Sequence, residues 1–159
     1  MSMRNDAGRT EERLIDIVNG WIAREAPLLP ILNEVQASFG YMPENAAAVI
    51  GRELNLSRAE VHGVISFYHD FRKEPAGRHV LKVCRAEACQ SVGGREMAEH
   101  LKRLLGLDWH ETAADGSVTL EPVYCLGLCA CAPAAMLDGE MIGRIDEQVA
   151  AEIVREVRT

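Results

Sequence analysis

His79-Val80-Leu81-Lys82-Val83-Cys84-Arg85-Ala86-Glu87-Ala88-Cys89 decides how the second half of this chain is read. Its first six residues alternate well enough for a strand, and the strand ends on a cysteine. A second cysteine follows after four residues. The same arrangement returns downstream, where Val118-Thr119-Leu120-Glu121-Pro122-Val123-Tyr124 reads as a strand running into Cys125, with Cys129 after three intervening residues. Each strand thus delivers a cysteine pair to a loop at its end. Between them, Gly93 and Gly94 precede a helix through Met97, Ala98, Leu101, Leu104 and Leu105, stopped by Gly106. Past the second pair, Ala134–Leu137 and Met141–Ile145 flank Asp138-Gly139, a hairpin signal. Val149, Ile153, Val154 and Val157 then carry a last helix over Glu147–Val157.

Upstream the period is helical. Thr10 is placed to cap a helix in which Leu14, Ile15, Val18, Trp21 and Ile22 recur at helical spacing, closed by Ala26-Pro27. A second series runs through Leu28, Ile31, Leu32, Val35 and Phe39 to a stop at Gly40. Pro43 opens a third helix through Ala46, Val49, Ile50 and Leu54. Ser57 and Glu60 form a capping box ahead of Val61, Val64, Ile65, Tyr68 and Phe71. Apolar stripes of this kind belong to a core far more often than to a cofactor. Lys73-Glu74-Pro75-Ala76-Gly77 breaks the pattern. The expected organisation is therefore a helical bundle over residues 1–74 and an α/β domain over 78–159 that carries the cysteines.

The whole chain has 159 residues, 48% of them hydrophobic, and a formal net charge of −7. That is enough apolar material for a core without disulfide staples. No basic stripe marks a nucleic-acid surface, and no stretch approaches the length of a membrane span. Met1–Arg13 is polar with no apolar signal region, so the chain reads as cytoplasmic. There, five clustered cysteines point to metal or redox chemistry rather than to disulfides.

Cys84-x4-Cys89 and Cys125-x3-Cys129 are the candidate ligand pairs. A [2Fe–2S] cluster takes four thiolates, two per iron, and short spacing lets one loop serve one iron. On spacing alone zinc remains open, because its sites also use short cysteine pairs. A zinc-stabilised interaction module is therefore the reading of another class. Gly93, Gly94 and Gly127 suit loops whose backbone N–H groups must face an anionic centre. Cys131 forms a C-x-C with Cys129 and reads as a small polarizable neighbour rather than a ligand. His62, His69, His79, His100 and His110 read as surface or packed residues, and Trp21 and Trp109 as core or interface anchors. No dinucleotide, phosphate-loop or triad motif is present, so NAD and flavin are not expected to bind this chain itself.

Cys84-Arg-Ala-Glu-Ala-Cys89 followed by Tyr124-Cys125-Leu-Gly-Leu-Cys129-Ala-Cys-Ala-Pro133 resembles the thioredoxin-like [2Fe–2S] subunit that accompanies the NADH-binding flavoprotein of respiratory complex I. Related subunits occur in NAD-linked hydrogenases and soluble NAD-dependent formate dehydrogenases. Gly40-Tyr41-Met42-Pro43 and Gly63-Val64-Ile65-Ser66-Phe67-Tyr68 look like that family's helical-domain signatures, so the resemblance covers nearly the whole chain. It implies a thioredoxin-like second domain and one [2Fe–2S] cluster on Cys84, Cys89, Cys125 and Cys129. It also implies a flavoprotein partner that holds FMN and NAD. The Arg-Ala-Glu-Ala filling, Cys131 and Ala134–Glu140 look most like the gamma subunit of molybdenum-containing formate dehydrogenase, which implies a molybdenum subunit as a further partner.

Overall fold

The computed structural model describes residues 3–159 and, from residue 8 onward, their side chains as well. The chain forms two units, residues 1–75 and 76–159.

Four helices build the first unit: α1 (Met3–Trp21), α2 (Leu28–Phe39), α3 (Ala46–Leu54) and α4 (Arg58–Phe67). Their apolar stripes meet in one core, in which Leu14, Val18, Ile31, Leu32, Val35, Ile50 and Val61 are fully buried. Three boundaries differ from the sequence reading. The first helix runs straight through Thr10, which is therefore not its cap. Pro43 sits in a turn, its carbonyl accepting from Ala46 N–H, and α3 starts only at Ala46. The last of these helices ends at Phe67, so Tyr68 and Phe71 lie beyond it, although Phe71 still reaches the core. The capping box forms as expected: Glu60 N–H donates to Ser57 Oγ at 3.2 Å and Ser57 N–H to the Glu60 carboxylate at 2.8 Å. Gly40 ends α2 at φ 77°, and its N–H donates to the Gln36 carbonyl. Trp21 packs against this core and donates to the Glu34 carboxylate.

The second unit is an α/β layer. Its strands are β1 (His79–Cys84), β2 (Val118–Val123), β3 (Ala134–Leu137) and β4 (Glu140–Gly143), in the spatial order β2-β1-β3-β4. β1 and β2 are parallel, with Cys84 opposite Val123, whereas β3 is antiparallel to both β1 and β4. Parallel strands need a crossover. It is supplied by α5 (Glu87–Gln90), α6 (Gly94–Leu105) and the loop that follows. The final helix, α7 (Glu147–Val157), packs beside α6 over the face carrying Leu81, Leu120, Ala135 and Leu137. Asp146 caps it, its side chain accepting from Val149 N–H at 2.9 Å. The sequence pattern places both cysteine pairs on loops. The structure instead forms a short helix after Ala86, with Cys89 on it.

Candidate metal centre

Because β1 and β2 are parallel and in register, both end at the same edge of the sheet, and both candidate cysteine pairs gather there. Cys84 is the last residue of β1 and is 4% exposed; Cys89, on α5, is 2% exposed. Ala134 joins them in a small buried cluster that Ala86, Val123, Leu126, Leu128 and Ala132 pack against. Cys125 and Cys129 are exposed, on the loop after β2 and at the start of a single 3-10 turn (Cys129–Cys131).

The spacing of the sulfurs is informative. Cys125 Sγ and Cys129 Sγ lie 3.9 Å apart. Two thiolates bound at about 2.3 Å to one tetrahedral metal sit about 3.8 Å apart, so this pair is spaced to share one ion. The other pair is in contact as well. Burial, followed by a hydrogen bond with the neighbouring Cys84 thiol, pushes the Cys89 thiol above its usual range, and the charge of Cys129 adds to the effect. The Cys129 thiol is raised chiefly by its hydrogen bond with Cys125, and Cys84 contributes by its charge. Each pair therefore feels the other. A bound metal would offset this repulsion and displace the thiol protons. Among the described residues no three His, Cys, Asp or Glu side chains converge on one point; the thiols stand as two pairs side by side. Soft sulfur donors in two adjoining pairs fit a two-iron cluster.

Backbone geometry shapes the site further. Cys125 has φ 120°, a conformation that costs a non-glycine residue on the order of 1–3 kcal/mol. Gly127, at φ 79°, turns the loop back so that its N–H donates to Cys125 Sγ at 3.4 Å. Gly93 has φ 88° at the entrance to α6. Gly94 matters by its smallness, since a Cβ there would lie 2.5 Å from the Cys89 carbonyl oxygen and 2.7 Å from its carbon. A Cβ on Gly143 would lie 2.7 Å from Cys131 Cβ, and Arg144 N–H donates to the Cys131 carbonyl at 2.6 Å. Cys84 and Cys129 act on the Cys89 thiol, and Cys125 and Cys84 act on the Cys129 thiol. An Ala132–Pro133 cis peptide leads from there into β3.

Of the other residues singled out from sequence, His79 pairs through Nδ1 with Asp138 at 2.6 Å across the sheet. His62, His69 and His110 are exposed, and Trp109 packs on the core of the second unit. The close packing of Gly143 on Cys131 and the positive φ of Cys125 were not visible in the sequence, because neither has a local signature.

A layer of two helices on a mixed four-stranded sheet, with paired thiols at the ends of its parallel strands, suits an iron–sulfur protein of the ferredoxin type. The model of the thioredoxin-like [2Fe-2S] ferredoxin family matches residues 14–158, and the chain belongs to that family, with one [2Fe–2S] cluster as its cofactor. It is similar to a component of the NADH-quinone oxidoreductase of Pseudomonas aeruginosa, with 34% identity over 129 residues, covering 81% of this chain and 78% of that one. The corresponding component from Mycobacterium bovis is 32% identical over 151 residues, covering 95% of this chain but 60% of the relative. In fold it resembles part of an NAD+-reducing [NiFe]-hydrogenase in the air-oxidised state, with a TM-score of 0.70 and 22% identity. That match covers 82% of this chain and 22% of the other.

Proposed function

We propose that Cys84, Cys89, Cys125 and Cys129 are the ligands of the cluster and that the chain serves as an electron-transfer subunit of an NAD-linked oxidoreductase. The observation that carries this reading is the meeting of two thiol pairs at one sheet edge, one pair already at the 3.9 Å spacing of ligands on a shared metal. When bound, the cluster supplies storage for a single electron. The protein's part is to hold and insulate it. Cys84 and Cys89 anchor one side in a buried pocket, while Leu126 and Leu128 pack against that pocket from the loop of the exposed pair. Gly127 N–H offers a hydrogen bond to sulfur, which offsets negative charge and raises the potential. Tyr124, 72% exposed next to Cys125, leaves this edge open to a partner.

That partner is a flavoprotein subunit binding FMN and NAD; the relatives are named as components of NADH-quinone oxidoreductases. The flavin exchanges two electrons with NAD and passes them on singly. The parent complex is a soluble, cytoplasmic formate dehydrogenase in which this chain is the gamma subunit and a separate subunit binds molybdenum. Arg85-Ala86-Glu87-Ala88 and Cys131 support this over the complex I or hydrogenase equivalents. No described helix is long and apolar enough to cross a membrane.

Anaerobic purification tests the ligand set. Iron content, visible charge-transfer bands and a rhombic reduced paramagnetic signal are expected, and Cys125→Ser or Cys129→Ser should lose or distort them. Cys131→Ser should leave the spectrum close to that of the unaltered protein. Colourless protein with stoichiometric zinc and no iron overturns the reading. Copurification from the native source with a flavoprotein and a molybdenum protein tests the parent complex.

A further inference from the structure

Arg85 follows directly on Cys84, and its backbone is held on both sides. Its N–H donates to the Val123 carbonyl at 2.7 Å, extending the β1–β2 ladder by one residue, and its carbonyl accepts from Gln90 Nε2 at 2.7 Å. Strand alternation sends its side chain to the face opposite that of Cys84. There the guanidinium carbon lies 5.3 Å from the centroid of the Trp109 ring, within cation–π range. Lys102 Nζ lies 5.6 Å from the same centroid. The two cations differ in their surroundings. Lys102 is neutralised by Asp108 at 2.9 Å and Glu99 at 3.5 Å. Arg85 has no carboxylate partner among the described residues.

Trp109 is itself fixed. It packs on the core of the second unit. His110 N–H donates to the Leu120 carbonyl at 2.8 Å, and Asp108 N–H to the Glu111 carboxylate at 2.7 Å. An aromatic ring on a pinned loop thus holds an unneutralised positive charge within about 10 Å of the Cys84 Cα, given about 3.8 Å between neighbouring Cα atoms and the reach of an arginine.

We propose that Arg85 sets the reduction potential of the cluster and that Trp109 is the positioning residue that fixes where its charge acts. The inference rests on the ligand assignment above. One-electron reduction adds one negative charge to the cluster and its thiolates, and a fixed cation nearby favours the reduced form. The cluster would lie on the opposite face, so at about 15 Å and an effective dielectric of about 40, one unit charge changes the reduction equilibrium about 2.5-fold. The cation–π contact adds no charge of its own. It keeps the guanidinium from swinging into water, where screening would weaken it.

The test is a redox titration of the cluster-loaded full chain with dithionite, read by paramagnetic resonance, with iron content measured on every sample. Arg85→Gln should lower the potential by the equivalent of about 2.5-fold in the equilibrium, and Arg85→Lys by less. Trp109→Leu should lower it partway and make it more sensitive to salt. In the Arg85→Gln background, Trp109→Leu should have no further effect, a result that general damage to the fold would not give. Should Arg85→Gln fail to load, the same comparison runs with Arg85→Lys and Trp109→Phe. Unchanged potentials in fully loaded variants overturn the proposal, as does a Trp109 effect that persists without Arg85. An unaltered protein that never acquires iron is a separate outcome, which removes the ligand assignment and this proposal with it.

Discussion

Replacing Gly94 with alanine tests how tightly the two ends of the ligand-bearing segment are bound to each other. A Cβ at this position lies 2.5 Å from the Cys89 carbonyl oxygen, 2.7 Å from its carbon and 3.2 Å from Cys89 Cβ. The first two are backbone atoms, so no rotamer change relieves the overlap. Either α6 or α5 has to move by at least half an ångström to restore a 3.0 Å contact. Overpacking of this kind costs about 1–3 kcal/mol, and the better helix propensity of alanine returns less than about 1 kcal/mol of it. The net destabilisation is about 1–2 kcal/mol. For a unit of this size that lowers Tm by roughly 4–16 °C. Trp109 is the only tryptophan of the second unit and Trp21 the only one of the first, so in a Trp21→Phe background fluorescence reports the second unit alone. Urea titration in that background measures the cost. Iron content after anaerobic reconstitution measures the displacement of Cys89 from Cys84 and should fall. Gly63→Ala is the matched control: it sits in the middle of α4 with nothing within 4 Å of the added carbon. It should stabilise the first unit by about 0.5–1 kcal/mol. Gly94→Ala with unaltered stability and full iron loading would refute the packing argument.

Other perturbations reach different parts of the molecule. Gly143→Ala should destabilise the second unit by about 1–3 kcal/mol through overlap with Cys131; urea titration should show Cys131→Gly recovering part of that loss, because it removes the Cβ at 2.7 Å but leaves the carbonyl oxygen at 2.9 Å. Asp146→Ala removes the cap of α7 and should cost about 1 kcal/mol in thermal unfolding. The Ser57 hydroxyl and backbone N–H hold the Glu60 carboxyl below its ordinary range. Its contribution is therefore complete above that range and disappears as pH falls through the lowered value. Unfolding curves of the unaltered protein and Glu60→Ala, compared from neutral to acid pH, should converge on acidification; a gap that widens would contradict the sign.

Elements whose cause is local are legible in the sequence. The box at Ser57 and Glu60 needs only residues three apart, and both of its hydrogen bonds form. Gly40 and Gly106 stop their helices at positive φ, as expected. Thr10 shows where such reading stops. It is a capping residue by type, yet α1 continues across it, because helix formation upstream competes with a cap and one residue does not decide the outcome. The helix at Glu87–Gln90 has no sequence signal because four residues leave no room for a period.

The amino-acid order by itself determined that four cysteines arrive in two short-spaced pairs, each at the end of a strand, and that a helical half precedes them. It did so because strand alternation, helical spacing and turn chemistry act over a few residues. Whether the pairs would meet was a matter of register. Only the parallel pairing of β1 with β2, Cys84 opposite Val123, brings residues 84–89 and 125–129 to one edge. Tertiary packing also seated Cys131 Cβ and its carbonyl against Gly143, and it brought the Arg85 guanidinium over Trp109. These contacts join residues 12 and 24 positions apart in the chain, and they arise from how the strands, helices and loops of the second unit pack together, which no local pattern encodes.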